Sequence, residues 1–93
     1  MSVISGQKTV AAAGTAETLA SSRQVSSPLM IKALPTNTDL VYIGQDTGDV
    51  TSSTGVPLSA GEVVVLIHVG NLTEIWVDSA VNGEGVAWLM LDV

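Results

Sequence analysis

The segment Glu62-Val63-Val64-Val65-Leu66-Ile67-His68-Val69 constrains this chain more than any other. Consecutive β-branched residues lose side-chain freedom in a helix and pack well on a pleated strand, so 62–69 reads as a strand. Alternation then puts apolar side chains on both of its faces. A strand in a two-sheet sandwich needs only one apolar face. Left on an exposed sheet edge, 63–67 is an aggregation hazard, and something must cover it. The same run is far short of the ~20 apolar residues that a membrane helix needs.

Turn residues divide the remaining sequence into short strands. Leu29-Met30-Ile31-Lys32-Ala33-Leu34 ends at Pro35, and Pro35-Thr36-Asn37-Thr38-Asp39 is a turn cluster. Leu40-Val41-Tyr42-Ile43-Gly44 follows as a strand. A long polar loop over 45–55 has room for one short strand at 49–51, and Val56-Pro57-Leu58 leads into an Ala60-Gly61 turn. A strand is expected over 72–78, a tight turn at Asn82-Gly83-Glu84-Gly85, and a closing strand over 86–91. Sustained helical periodicity and internal repeats are absent. The expected fold is all-β, one small β-sandwich or jelly-roll-like domain. The small-residue stretch 9–22 admits two readings: a short helical turn after Thr15, or strands over 8–12 and 16–20 paired about Gly14. Strands fit the rest of the chain better, so 1–22 is an amino-terminal arm or edge-strand pair, and 23–93 the sandwich core.

Alternation also assigns faces. Val41 and Ile43 point one way, with Leu40, Tyr42 and Gly44 opposite; Ile75 and Val77 oppose Glu74, Trp76 and Asp78. In 86–91, Ala87, Leu89 and Leu91 form one set and Val86, Trp88 and Met90 the other, and both sets are apolar. These surplus faces imply cover by the amino-terminal arm, by a loop or by another chain. The interface candidates are Tyr42, Val63, Val65, Trp76, Trp88 and Met90. The three aromatics serve equally as plugs of a core that has no Phe, and a sugar-stacking platform is a further reading.

Chemistry is sparse. Three basic residues against nine acidic ones give a net charge of −6, which excludes the cationic surface that neutralises phosphates. There is no cysteine, hence no disulfide, thiolate metal site or cysteine nucleophile. His68 is the single histidine, which makes a transition-metal site improbable and a structural histidine the better reading. No G-x-S-x-G motif accompanies the serines. Asp46 and Asp49 flank Gly48 without the further acidic ligands of a calcium loop, and read as solvated turn residues. Asn71-Leu72-Thr73 fits a glycosylation sequon, but the amino terminus lacks the apolar stretch of a secretory signal. No catalytic, metal or cofactor residue is assigned; the expectation is a soluble protein that is not an enzyme.

Ile31-Lys32-Ala33-Leu34-Pro35-Thr36-Asn37-Thr38 and Val41-Tyr42-Ile43-Gly44 resemble small all-β structural proteins of tailed bacteriophages. Pro57-Leu58-Ser59-Ala60-Gly61-Glu62, Asn71-Leu72-Thr73-Glu74-Ile75-Trp76-Val77-Asp78 and Val81-Asn82-Gly83-Glu84-Gly85-Val86 extend the resemblance over about the last two thirds. These are turn-and-strand signatures of the head-decoration (cement) or fibre-associated kind. The resemblance implies a non-enzymatic virion component, made in the host cytoplasm and placed on the capsid surface. It further implies a homotrimer bound to the major capsid protein. The alternative is a receptor- or glycan-binding module of a fibre or tail.

Overall fold

A computed structural model describes residues 2–25, 28–44, 55–67 and 69–92. In chain order the strands are β1 (Ser2–Thr9), β2 (Glu17–Thr18), β3 (Leu29–Ala33), β4 (Val41–Gly44), β5 (Val56–Leu58), β6 (Val63–Leu66), β7 (Trp76–Ser79) and β8 (Gly85–Asp92). They form two antiparallel four-stranded sheets, β1-β8-β3-β6 and β2-β7-β4-β5. The pairing is nested: first strand with eighth, second with seventh, third with sixth, fourth with fifth. Every connection but that between β4 and β5 crosses from one sheet to the other, which makes the chain a small all-β sandwich.

The core lies between the sheets and is aliphatic apart from one indole. Leu29, Ile31 and Ala33 of β3 and Val86, Trp88 and Met90 of β8 meet Val41 and Ile43 of β4 and Val77 of β7. Each fully buried Leu, Ile or Val contributes about 1.5–3 kcal/mol of transfer free energy. Trp88 fits because its cross-strand neighbour is Gly6: a Cβ there would stand 2.7 Å from the indole Cζ2. The missing side chain of Gly6 leaves the inner-face room that the Trp88 indole fills.

The amino-terminal third differs from the expected hairpin about Gly14. β1 pairs with β8 over its whole length, and β2 pairs with β7 in the other sheet. Residues 2–18 therefore supply one edge strand to each sheet: β1 gains an eight-residue ladder with β8, while β2 gains a two-residue one with β7. Val10 extends the first pairing, donating to the Glu84 carbonyl and accepting from the Gly83 N–H, both at 2.8 Å. Gly83 sits at φ 83°, the left-handed position that this turn demands.

The strand expected over 72–78 begins later, at Trp76, because 72–74 forms a 3-10 turn. The Asn71 side chain causes this: its Oδ1 accepts from the N–H and hydroxyl of Thr73 and from the Arg23 N–H. The 62–69 strand is shorter than expected, 63–66. A strand at 56–58, read from sequence only as a lead into a turn, is the edge β5, where Pro57 is tolerated. The short strand expected at 49–51 lies outside the described residues.

Candidate functional site

The outer faces of the two sheets are where the structure departs from a closed sandwich. On the second sheet, Tyr42 lies between Pro57 and Asp78 in register, and packs with Ala16, Leu40 and Trp76 in a small cluster. Residues 11–16 strap this face. The Ala11 N–H donates to Glu17 Oε2 at 2.8 Å, the Ala13 N–H to Asn82 Oδ1 at 2.7 Å, and the Gly14 N–H to Asp78 Oδ1 at 3.0 Å. Tyr42, Asp78 and Ala16 are all buried.

The first sheet has no such strap among the described residues. Val3 stands opposite Leu91, Ser5 opposite Leu89, and Gln7 opposite Ala87. Met30 continues the second of these rows between Leu89 and Val65, and Lys32 the third between Ala87 and Val63. Ile67 directly follows β6 and is exposed. The exposures are Val3 62%, Val63 49%, Val65 55%, Ile67 67%, Leu89 38% and Leu91 41%. Between Ser5, Gln7, Met30, Lys32, Ala87 and Leu89 lies a shallow depression of about 330 Å³. Lys32 is the one charged side chain on this face among the described residues.

The six interface candidates therefore divide. Val63 and Val65 are on the uncovered face, on an edge strand, as the hazard in the sequence anticipates. Trp88 and Met90 face inward and are core residues of the isolated chain, 8% and 3% exposed. Their outward places are taken by Leu89 and Leu91. Tyr42 and Trp76 lie on the second sheet's outer face, Tyr42 buried and Trp76 half-buried, so they do not join the valines. Val3, Met30, Leu89 and Leu91 complete the uncovered face without having been singled out. The signal was present in the apolar set Ala87, Leu89 and Leu91, but alternation alone does not choose which of two apolar sets faces out. His68, Asp46 and Asp49 lie outside the described residues.

Polar groups serve as fasteners. Glu84, in the turn between β7 and β8, accepts from the Thr38 N–H and hydroxyl and from the Asp39 N–H. The Thr38 N–H is the main reason its carboxyl lies below the usual carboxylate value. Beside it, Asn37 exchanges two hydrogen bonds with the Gly85 backbone, Nδ2 to the carbonyl at 2.9 Å and N–H to Oδ1 at 3.2 Å. Glu17 pairs with Lys8 at 2.7 Å across the open side of the sandwich, and that hydrogen bond, followed by the one from Ala11, lowers its carboxyl. Among the described residues no group of three His, Cys, Asp or Glu is placed to hold a metal ion. Among the described residues no helix is long and apolar enough to cross a membrane.

No family model, curated protein or solved structure matches this chain.

Proposed function

We propose that this chain is a structural protein of a tailed-phage particle: a decoration or cement protein that associates with itself and binds major capsid subunits, stabilising the head without catalysing a reaction. The observation that carries the self-association is the aliphatic outer face of the first sheet, left exposed while the opposite outer face is strapped. Monomers rarely leave contiguous apolar patches beyond about 300–600 Å² in water, and larger ones mark interaction sites. The phage assignment is supported by the resemblance of the turn and strand motifs. The nested strand pairing supports the jelly-roll winding that the same resemblance implies. A net charge of −6 would keep such a shell from sticking to DNA and anionic cell surfaces.

The test is location. Density for the protein in a particle reconstruction is expected in many copies across the head lattice, with purified protein rebinding stripped heads to saturation. Density confined to a vertex, fibre or tail would overturn the cement role in favour of a receptor- or glycan-binding one.

A further inference from the structure

We infer that the outer face of the first sheet packs against the same face of a second copy, two sheets stacked across a twofold axis. This rests on the self-association part of the proposed function and says which surface associates and with what. Eight large hydrophobic residues are exposed among the described residues; five of them, Val3, Val63, Val65, Leu89 and Leu91, share this face, and a sixth, Ile67, directly follows β6. The other two stand apart, Val56 on β5 and Val81 between β7 and β8. A head-to-tail contact would need a second apolar surface elsewhere on the chain to receive this one, and the described residues offer none. The complement to the face is the face itself.

Its chemistry agrees. Val, Leu, Ile, Met and Ala are also the residues of the inner faces, which interdigitate about 10 Å apart in an aligned sandwich. Four strands of four to eight residues present roughly 400 Å² in projection. Their accessible surface is larger still, within reach of the ~800 Å² each partner gives a standard interface. Two chains of charge −6 repel unless they meet where acidic groups are absent, and the outward positions of β1, β8, β3 and β6 carry none. A twofold axis along the row of Ser5, Leu89, Met30 and Val65 places the two Lys32 side chains on opposite sides of the axis, each one row away from it. Their long stems pack on apolar surface while the charged heads reach for water. The depression between this row and that of Lys32 borders the axis and receives aliphatic side chains of the second copy. Pairing through the free edge of β6 alone would leave Val3, Leu89 and Leu91 in water.

The stacking predicts an even number of subunits, where the phage resemblance implies three. Sedimentation equilibrium of the wild-type chain should give a dimer at micromolar concentration. The double variant Val65→Glu with Leu89→Glu should associate at least about 30-fold more weakly, the scale of a lost hot spot, with the circular dichroism spectrum unchanged. Val56→Glu, an equally exposed valine on the second sheet, should dimerise like wild type. Because the chain has no cysteine, Leu89→Cys provides a second reading that does not depend on the charged variants. The introduced thiol should react with maleimide slowly in concentrated protein and quickly on dilution. A wild-type monomer at all concentrations, a trimer, a double variant that dimerises undiminished, or a thiol equally reactive at both concentrations overturns the inference. Rebinding to heads is scored separately. A dimer through this face that ignores heads supports the stacking and overturns the decoration role; a monomer that coats heads does the reverse.

Discussion

The two outer faces of the sandwich start from similar strands and end differently. On the second sheet Tyr42 and Asp78 are buried beneath residues 11–16, with Ala16 of that segment packed against Tyr42; on the first, Ser5, Leu89 and Val65 are exposed and Met30 half-buried. What separates them is polar anchoring. The strapped face contains a carboxylate, Asp78, whose Oδ1 accepts from the N–H groups of Gly14 and Ser79 at 3.0 and 2.8 Å. Glu17 and Asn82 hold the same segment nearer its start. Backbone N–H groups need partners when covered, so a strap settles where acceptors stand ready. The first sheet's outer face offers aliphatic carbon and one lysine, which give a passing chain segment nothing to dock its amides on. Another sheet, with its own hydrogen bonds already made, suits that surface better.

The largest test of this contrast compares two side chains that both point outward. Tyr42→Ala should destabilise the fold by about 3 kcal/mol, as for other buried aromatics truncated to alanine. Leu89→Ala should stay within about 0.5 kcal/mol in protein dilute enough to be monomeric. Urea denaturation of the two variants measures both. Equal losses would mean that the first sheet's outer face is covered within a single chain, and the contrast would fail.

A smaller effect is expected at the anchor. Asp78→Ala leaves the Gly14 and Ser79 amides without their acceptor and should cost about 1–3 kcal/mol. Amide exchange at Gly14 should quicken more than at residues of β1. Asp78→Asn, which keeps Oδ1, should recover most of the loss. If the alanine variant exchanges at Gly14 like wild type, the strap is held by packing alone.

Much of the architecture could be read from the sequence because it follows from side-chain period. Val41 with Ile43, Ile75 with Val77, and the two sets in 86–91 face as alternation requires. Strand ends and partners were less readable. The start of β7 is set by Asn71 hydrogen-bonding to Thr73 and Arg23, and period alone does not foretell the contact with Arg23. The partners of β1 and β2 are the distant strands β8 and β7, which the local pattern of 2–18 does not name. For the candidate site, Val63 and Val65 were identifiable because a run of β-branched residues advertises both faces. Trp88 and Met90 were drawn in by residue type; both sets of β8 are apolar, and the inner-face room that Trp88 fills is left by Gly6, far off in sequence and silent in composition.

Acid should separate the faces again. Glu17 and Glu84 both lie below the ordinary carboxylate value of 4.5 in the folded chain. A lowered folded value means that the unfolded chain binds the proton first, so their stabilising contribution is complete above the ordinary value. It declines as pH falls through the lowered ones. Melting temperature should therefore drop across that window. Glu84→Gln should melt a little lower at neutral pH and lose less on acidification. Dimerisation through the first sheet, with no carboxylate among its outward positions, should not weaken in the same window. A parallel loss of dimer would show that the stacking also depends on an acidic group.

The smallest effect concerns the open side, where the inward-facing Lys8 of β1 reaches Glu17 of β2. Their side chains are 27% and 25% exposed, so water screens the pair, and a double-mutant cycle of Lys8→Met with Glu17→Gln should give a coupling of about 0.2–1 kcal/mol. The single variants should nevertheless be unequal. Lys8→Met removes only the ion pair. Glu17→Gln also weakens the acceptor of the Ala11 N–H, the first bond of the strap, and should raise amide exchange at Ala11. Equal single effects, with no change at Ala11, would reduce Glu17 to a surface charge and leave the strap to Asn82 and Asp78. Unequal ones would make the lysine pair incidental and the amide bond the reason that the second face stays covered.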